Sequence, residues 1–271
     1  MLFKALTSTV LGTLTINKFI ENEMNNPDIE IYKPVDTVSI IVPVYNEEQF
    51  IEKTLKSLRN QTIIQQYPEY FEIILVNNNS TDNSVKIAEP YVDKIINESR
   101  KGKLYARNTG ILQSTGNLIV AVDADVYYPK HWLNTLLNTF NDPRVSAVGG
   151  AIYNTNIPNI PNGIYNMLNV IEKTIIRPNR LSGANSAFYK HQYFQVGKFN
   201  ESINQMDGTE MVDEEEIGFG NRLSKLGRIV YKLNAVGVHL GGKRAGCRMG
   251  RIGISDNQYC TSQGIGIQRF G

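Results

Sequence analysis

The sequence predicts an α/β fold, a Rossmann-like, mostly parallel sheet with helices on both faces. Three observations carry that expectation. From Val38 onward, short runs of near-continuous Val, Ile and Leu alternate with segments of helical spacing. Three of those runs end in polar clusters, "PVYNEE", "VNNNSTD" and "VDADV". No internal repeat or low-complexity linker interrupts the 271 residues, a length that suits one large domain of this class.

The elements follow in order. "VSIIVPV" (38–44) reads as a strand buried on both faces, and "NEEQFIEKTLKSLRNQ" as a helix. There Asn46 and Gln49 suit the ends of a capping box, while Phe50, Leu55 and Leu58 supply an apolar face. "EIILV" (72–76) is the second strand, and "NNNSTDNSVKIAEPY" turns into a helix with Ser80 as its N-cap. "KIIN" (94–97) is a short strand and "GKLYARNTGILQST" a third helix. "NLIVAVD" (117–123) is the fourth strand, followed by a helix over 129–140 that Pro129 starts. After Gly149 the rhythm changes. "AIYNTNIPNIPNG" reads as a loop and "IYNMLNVIEKTII" as a helix. "SGANSAFYKHQYFQVG" reads as a strand and turn, "MVDEEEIGFGNRLSKLG" as a helix with an acidic start, and "RIVYKL" as a strand.

Composition narrows the class. A formal net charge of +2 does not support nucleic acid as the main partner. Cys247 and Cys260 are too few for a disulfide framework or a zinc knuckle, so a reducing compartment is expected. Between Lys4 and Lys18 lie thirteen uncharged residues. That is short of the roughly 20 mostly apolar residues a membrane span requires, and a secretory signal would have a purer apolar core. Phe3, Leu6, Val10 and Leu14 fall at helical spacing. A short amphipathic helix there either packs on the domain or touches a membrane surface. A cytoplasmic location is expected, with peripheral contact at the membrane face as the alternative.

In open α/β sheets ligands bind outside the carboxyl ends of the strands. The three polar clusters gather on that rim. Asp123 and Asp125, one residue apart at the end of an apolar strand, read either as a solvated turn after the strand or as ligands of a divalent metal, Mn²⁺ or Mg²⁺. Such a cation takes oxygen ligands and completes its shell with substrate phosphate.

Six segments, taken in order, resemble the family 2 glycosyltransferases of GT-A fold. They are "SIIVPVYNEEQFIEKTLKSL", "EIILVNNNSTDNS", "KGKLYARNTGI", "GNLIVAVDADV", "SGANSAFYK" and "DEEEIGFGNRLSKLG". The resemblance spans Val38 to His239. It implies metal-dependent transfer of a sugar, with inversion, from a nucleotide-diphosphate-sugar to an acceptor hydroxyl of a glycan or lipid-linked acceptor. A UDP-sugar is the favoured donor and a GDP-sugar the alternative. It also implies a division at about residue 150, with a nucleotide-binding half over 38–150 and an acceptor half over 151–240. An N-terminal helical extension (1–37) and a basic, glycine-rich tail (241–271) flank this domain.

The resemblance also assigns roles. Asp125 reaches the metal directly, and Asp123 contacts ribose or metal-bound water. Pro43, Tyr45 and Glu47 line the nucleotide pocket, with Tyr45 against the base and Glu47 accepting from ribose or base; for Asn46 helix capping is the preferred reading. Asn77, Asn78 and Asn79 depart from the family pattern, where an Asp accepts from the uracil N3–H. An Asn78 amide can accept through its oxygen but can also donate. Lys103 and Arg107, one helical turn apart, approach base and diphosphate, whereas Lys101 reads as solvated surface. Glu214 or Asp213 is the general base, the register being blurred, and Glu216, Ile217 and Gly218 continue the pattern. Gly183, Ala184 and Asn185 line the acceptor site. His239 either completes the metal site or is a core histidine; His131 and His191 have no such context. Lys243, Arg244, Arg248 and Arg251 form a lid over the diphosphate, a contact to anionic lipid, or a solvated end. A nucleotidyltransferase should show a glycine-rich phosphate loop after the first strand, and "PVYNEE" has none. A non-catalytic nucleotide-sugar-binding protein is opposed by "DEEE" and kept open by "NNN".

Overall fold

The computed structural model describes residues 31, 33–154, 171, 175–176, 178–201 and 217–241. Eight strands form one sheet, β1 (Val38–Val44), β2 (Phe71–Asn77), β3 (Lys94–Asn97), β4 (Leu118–Val122), β5 (Val126–Tyr127), β6 (Val145–Asn154), β7 (Asn185–Tyr189) and β8 (Arg228–His239). Their spatial order is β3-β2-β1-β4-β7-β6-β8-β5. β3, β2, β1 and β4 run parallel. β7 is antiparallel to both β4 and β6, β6 and β8 are parallel, and β5 returns antiparallel on β8. The parallel half is therefore as expected, and the second half is mixed.

The helices are α1 (Ile51–Arg59), α2 (Thr62–Gln66), α3 (Ser84–Ala88), α4 (Lys103–Gln113), α5 (Trp132–Leu137), α6 (Lys190–Gln195) and α7 (Phe219–Leu223). Alternate side chains of β1 explain why both faces of the sheet are covered. Ile40 and Val42 join Leu55, Leu58, Ile73, Val120 and Trp132 on one face. Ile41 joins Ile74, Leu104, Ile111, Ile119 and Phe219 on the other. A strand buried on both faces has no polar side to alternate with, which is why these runs read as continuous Val, Ile and Leu. α4 lies so close to the sheet that a β-carbon on Gly110 would meet Ile41 Cγ2 at 2.6 Å and Val76 Cγ2 at 2.8 Å.

Several boundaries differ from expectation. α1 starts at Ile51 with no side-chain cap, so Asn46 and Gln49 form no capping box. Asn46 instead takes a left-handed φ of 54° in the turn after β1. Ser80 is not an N-cap either, because α3 starts four residues later. α5 starts at Trp132 rather than Pro129, whose carbonyl accepts from the Trp132 N–H. "AIYN" belongs to β6 and not to a loop. Its run of Ser, Ala and Gly carries little apolar mass, and its burial comes from β7 and β8 on either side. The turn expected after β7 is helix α6. The N-terminal segment 1–30, most of the helix expected near residue 170, the acidic stretch 202–216 and the tail 242–271 lie outside the described residues. Among the described residues, no helix is long and apolar enough to cross a membrane.

One polar side chain holds the second half together. The β6–β8 ladder breaks between Gly150 and Ala151, where the partner register jumps from Lys232 to Val236. Asn185, wholly buried, fills the break by donating to the Ala151 carbonyl at 2.7 Å and the Ala235 carbonyl at 2.9 Å. Its oxygen accepts from the Trp132 indole N–H at 2.8 Å. Gly150 makes the room, since a β-carbon there would overlap both the Ala235 carbonyl oxygen and the Asn185 amide. Asn185→Ala strands buried polar groups that are costly to leave unpaired, and should lower unfolding stability by about 3 kcal/mol or more in urea titrations. Asn185→Asp cannot donate to either carbonyl and should not restore it.

Candidate active site

The carboxyl ends of β1, β2 and β4 meet on one rim, and the turns that leave them are tied together. Asn46 N–H donates to Ser80 Oγ at 3.2 Å, and Asn46 Oδ1 accepts from the Thr81 N–H at 2.8 Å. Glu47 N–H donates to Ser84 Oγ at 2.7 Å, and Glu48 N–H to Asp82 Oδ2 at 3.1 Å. Ser80 and Ser84 thus serve the neighbouring turn. On this rim Tyr45 is 40% exposed, while Pro43 and Glu47 are half-buried.

The two aspartates at the end of β4 face different partners. Asp123 Oδ1 lies 2.7 Å from Arg107 Nη2 and 3.1 Å from Lys103 Nζ. One turn of α4 separates these two cations, so one helix face delivers both. Asp125 Oδ2 lies 3.3 Å from His239 Nε2, both residues being buried. Strand pairing brings them together, because Val126 is in register with His239 and the Leu240 N–H donates to the Asp125 carbonyl at 2.9 Å. Among the described residues, no three His, Cys, Asp or Glu side chains converge as a ready metal cage. Asp125 and His239 do supply an oxygen and a nitrogen side by side, a donor pair that suits Mn²⁺ when phosphate and water fill the remaining positions.

The turn between the aspartates is held from behind by residues the sequence analysis missed. Thr54 Oγ1 donates to the Ala124 carbonyl at 2.8 Å. Ser57 Oγ accepts from the Tyr128 N–H at 3.1 Å. Gln61 Nε2 donates to the carbonyls of Tyr128 and Pro129, and its oxygen accepts from the Leu133 N–H. Tyr128 Oη donates to the Ala184 carbonyl at 2.7 Å and accepts from the Asp123 N–H at 3.2 Å. Burial, with the Asp123 charge adding to it, pushes the Tyr128 phenol well above its usual range, so it stays a donor. The available signal was that Thr54 and Ser57 interrupt the buried face of α1 made by Ile51, Leu55 and Leu58.

The three asparagines form a brace. Asn77 Oδ1 accepts from the Ser80 N–H, and its amide donates to Asn97 Oδ1. Asn78 donates to the carbonyls of Glu98 and Arg100, and its oxygen accepts from the Gly102 N–H at 2.8 Å. Asn79 donates to the carbonyls of Glu98 and Ser99. Asn78, expected to face the base, thus has its amide engaged by the loop before α4. Its amide protons and oxygen hold the 98–102 loop, a task that needs donors and that a carboxylate could not perform. Gly183, Ala184 and Asn185, expected at the acceptor site, are likewise engaged within the protein. All three are buried, the Ala184 carbonyl accepts from Tyr128, and Asn185 serves the sheet. His131 shares a 2.8 Å hydrogen bond with Thr62, and His191 packs on Tyr189. Asp213 and Glu214 lie outside the described residues.

With this geometry in place, the comparisons with known proteins become specific. The family model "Glycosyl transferase family 2" matches residues 39–202. The chain belongs to glycosyl transferase family 2. Glycosyltransferase AglE of Haloferax volcanii is 35% identical over 133 residues, 46% of this chain and 41% of that protein. A Methanococcus voltae protein is 29% identical over 196 residues, 67% of this chain and 56% of its own length. Its name is dolichyl N-acetyl-alpha-D-glucosaminyl phosphate 3-beta-D-2,3-diacetamido-2,3-dideoxy-beta-D-glucuronosyltransferase. This family 2 chain spans about half the length of the curated relatives it matches. Among solved structures, the Pyrobaculum calidifontis mannosyltransferase PcManGT, in complex with GDP-Man and Mn²⁺, superposes with a TM-score of 0.58 at 24% identity. The match covers 89% of this chain and 68% of that one. S. aureus TarS 1-349 in complex with UDP gives a TM-score of 0.58 at 18% identity, covering 78% and 62%. The fold is that of the GT-A glycosyltransferases.

The brace also sets an acid limit for this family 2 chain. The Arg100 guanidinium on Glu98, helped by the Thr109 hydroxyl, holds the Glu98 carboxyl at about 2 against an ordinary 4.5. A depressed folded-state pKa gives stability that is present above the unfolded value and lost as pH falls through the folded one. Urea titrations between pH 5 and 2 should therefore show Glu98→Gln with a shallower acid loss than the wild type, and with lower stability at pH 6. Parallel curves would remove Glu98 from the acid response.

Proposed function

We propose that this chain is a metal-dependent, inverting glycosyltransferase acting on a nucleotide-diphosphate-sugar. The observation that carries the reading is the end of β4, where Asp125 meets His239 and Asp123 meets Lys103 and Arg107. Asp125 and His239 would hold the divalent ion, Mn²⁺ or Mg²⁺, which supplies charge neutralisation at the diphosphate when bound. Lys103 stands on the rim beside Asp123, and Arg107 behind it fixes the Asp123 carboxylate in place. Asp123 would then meet ribose or metal-bound water, Tyr45 the base, and Glu47 the ribose or base. Pro43 shapes the floor of that pocket.

Glu214, or Asp213 beside it, takes the proton of an acceptor hydroxyl on a glycan or lipid-linked acceptor. The freed oxygen attacks the anomeric carbon as the bond to the β-phosphate oxygen breaks, and the electron pair leaves with the nucleoside diphosphate. In-line attack inverts the centre. A UDP-sugar is the favoured donor and a GDP-sugar the alternative, since the Asn78 oxygen accepts from Gly102 and keeps a second lone pair. Cytoplasmic action, with peripheral contact to the membrane face, accords with a lipid-linked acceptor. The Methanococcus voltae relative carries a dolichyl phosphate acceptor in its name.

Calorimetry tests the metal assignment. UDP or GDP should bind with Mn²⁺ present, and affinity should collapse in EDTA and in Asp125→Ala. Unchanged affinity in both would overturn it. A second measurement addresses the base. Glu214→Gln should keep donor binding while turnover falls by about 10²- to 10⁴-fold. A comparable fall in Asp213→Asn, with Glu214→Gln near normal, would transfer the role to Asp213.

A further inference from the structure

The Asp-Ala-Asp turn is fixed by three consecutive backbone contacts, each from a different element. Tyr128 Oη accepts from the Asp123 N–H, Thr54 Oγ1 donates to the Ala124 carbonyl, and the Leu240 N–H donates to the Asp125 carbonyl. The third is a backbone contact that continues the β5–β8 pairing. The other two come from side chains, and Thr54 is the more telling. It lies on the buried face of α1 among Ile51, Leu55 and Leu58, fully out of water, where a valine of the same shape would pack without a polar atom to satisfy. A hydroxyl at such a place needs a partner, and its partner is the carbonyl of the one residue that separates the two aspartates.

We infer that Thr54 is a positioning residue for the carboxylate pair: its hydrogen bond sets the Ala124 peptide plane, and so the divergence of Asp123 toward Arg107 and Asp125 toward His239. The inference rests on the reading of the site as one for metal and nucleoside diphosphate. The Ala124 carbonyl belongs to the peptide joining Ala124 to Asp125, so fixing it fixes ψ of Ala124 and φ of Asp125, and with them the direction in which the backbone carries Asp125 away from Asp123. A hydroxyl 2.8 Å from the Ala124 oxygen holds that plane, and methyl packing alone does not. Ser57 supports the arrangement from one turn further along α1. Its Oγ donates to the Thr54 carbonyl and accepts from the Tyr128 N–H, joining the helix to the other end of the same turn. Preorganisation of this kind matters most for a metal held by only a few protein donors, since each misdirected ligand removes a large share of the site.

The test measures binding rather than turnover. The Mn²⁺ concentration giving half-maximal binding of UDP or GDP is determined by calorimetry for wild type, Thr54→Val and Thr54→Ser, alongside the thermal midpoint of each. Thr54→Val should raise that concentration about fivefold to tenfold, the scale of one buried hydrogen bond, and Thr54→Ser should return it to near the wild-type value. A Thr54→Val protein that has a lower midpoint but an unchanged Mn²⁺ requirement would show that Thr54 only packs, and would overturn the inference. If Thr54→Val does not fold, Tyr128→Phe tests the same device from the Asp123 side: a raised requirement supports it, an unchanged one overturns it. Wild-type protein that binds neither nucleotide with Mn²⁺ would instead overturn the functional reading itself, and the inference with it.

Discussion

The Arg107 guanidinium is 1% exposed, and a cation so placed must have a carboxylate beside it. Asp123 is that carboxylate, 2.7 Å away. The pair ties the second turn of α4 to the end of β4, and much of the site follows from it. With Asp123 held against α4, the chain must turn at Ala124, and Asp125 emerges toward β8 where His239 ends its strand. Removing Asp123 would take from the buried Arg107 the carboxylate beside it, at a typical cost of about 3–5 kcal/mol, whereas Asp123 without Arg107 would still have Lys103 at 3.1 Å. The charged rim is thus part of the fold's own stability rather than an addition to it.

The same economy governs the neutral polar groups. Asn185 sits where the β6–β8 ladder is interrupted and supplies the donors that the Ala151 and Ala235 carbonyls lack. Asn78 and Asn79 do the equivalent for the 98–102 loop, whose carbonyls point back at the end of β2. An amide is the side chain that can donate and accept at once, and both places need both. Asn46 and Asn79 add a second property, since each holds a positive φ, 54° and 67°, in a turn after a parallel strand. Short polar side chains tolerate that conformation better than most.

The parallel half of the sheet was legible because burial on both faces leaves a direct trace in residue type. β1, β2 and β4 contain little besides Val, Ile, Leu and Ala, and their carboxyl ends were found within a residue or two. β6 left no such trace. Its small residues are buried by strands that arrive from far along the chain, and single-sequence pattern reading has no access to that. Among the site residues, Asp123, Asp125, Lys103 and Arg107 were legible as charges out of keeping with an apolar run or shared by one helix face, and His239 as an alternative left open. At Asn78 and Asn185 the sequence shows an amide's capacity but not which carbonyls surround it. Thr54, Ser57 and Gln61 were passed over as ordinary helix residues. What they hold is backbone some seventy residues away, and backbone has no letter in the sequence.

Charge balance links these contacts to the proposed chemistry. The formal charges of Arg107 and Lys103 offset those of Asp123 and Asp125, while Glu47, Glu48 and Asp82 leave the turns of the same rim acidic. In the proposed reaction a divalent cation would offset that acidity and the charge of a sugar-nucleotide diphosphate, which would favour arrival of the two together. When the anomeric bond breaks, the nucleoside diphosphate gains a further negative charge, and some cation must be able to move toward it. Arg107 cannot, being enclosed and committed to Asp123. Lys103 shares the same carboxylate oxygen but is 20% exposed, on a flexible stem at the first turn of α4. Because Arg107 alone already compensates Asp123, Lys103 can leave without stranding a buried charge. In the proposed chemistry the two cations on one aspartate would divide the work: the buried one would fix the site, and the rim one would turn toward the leaving group.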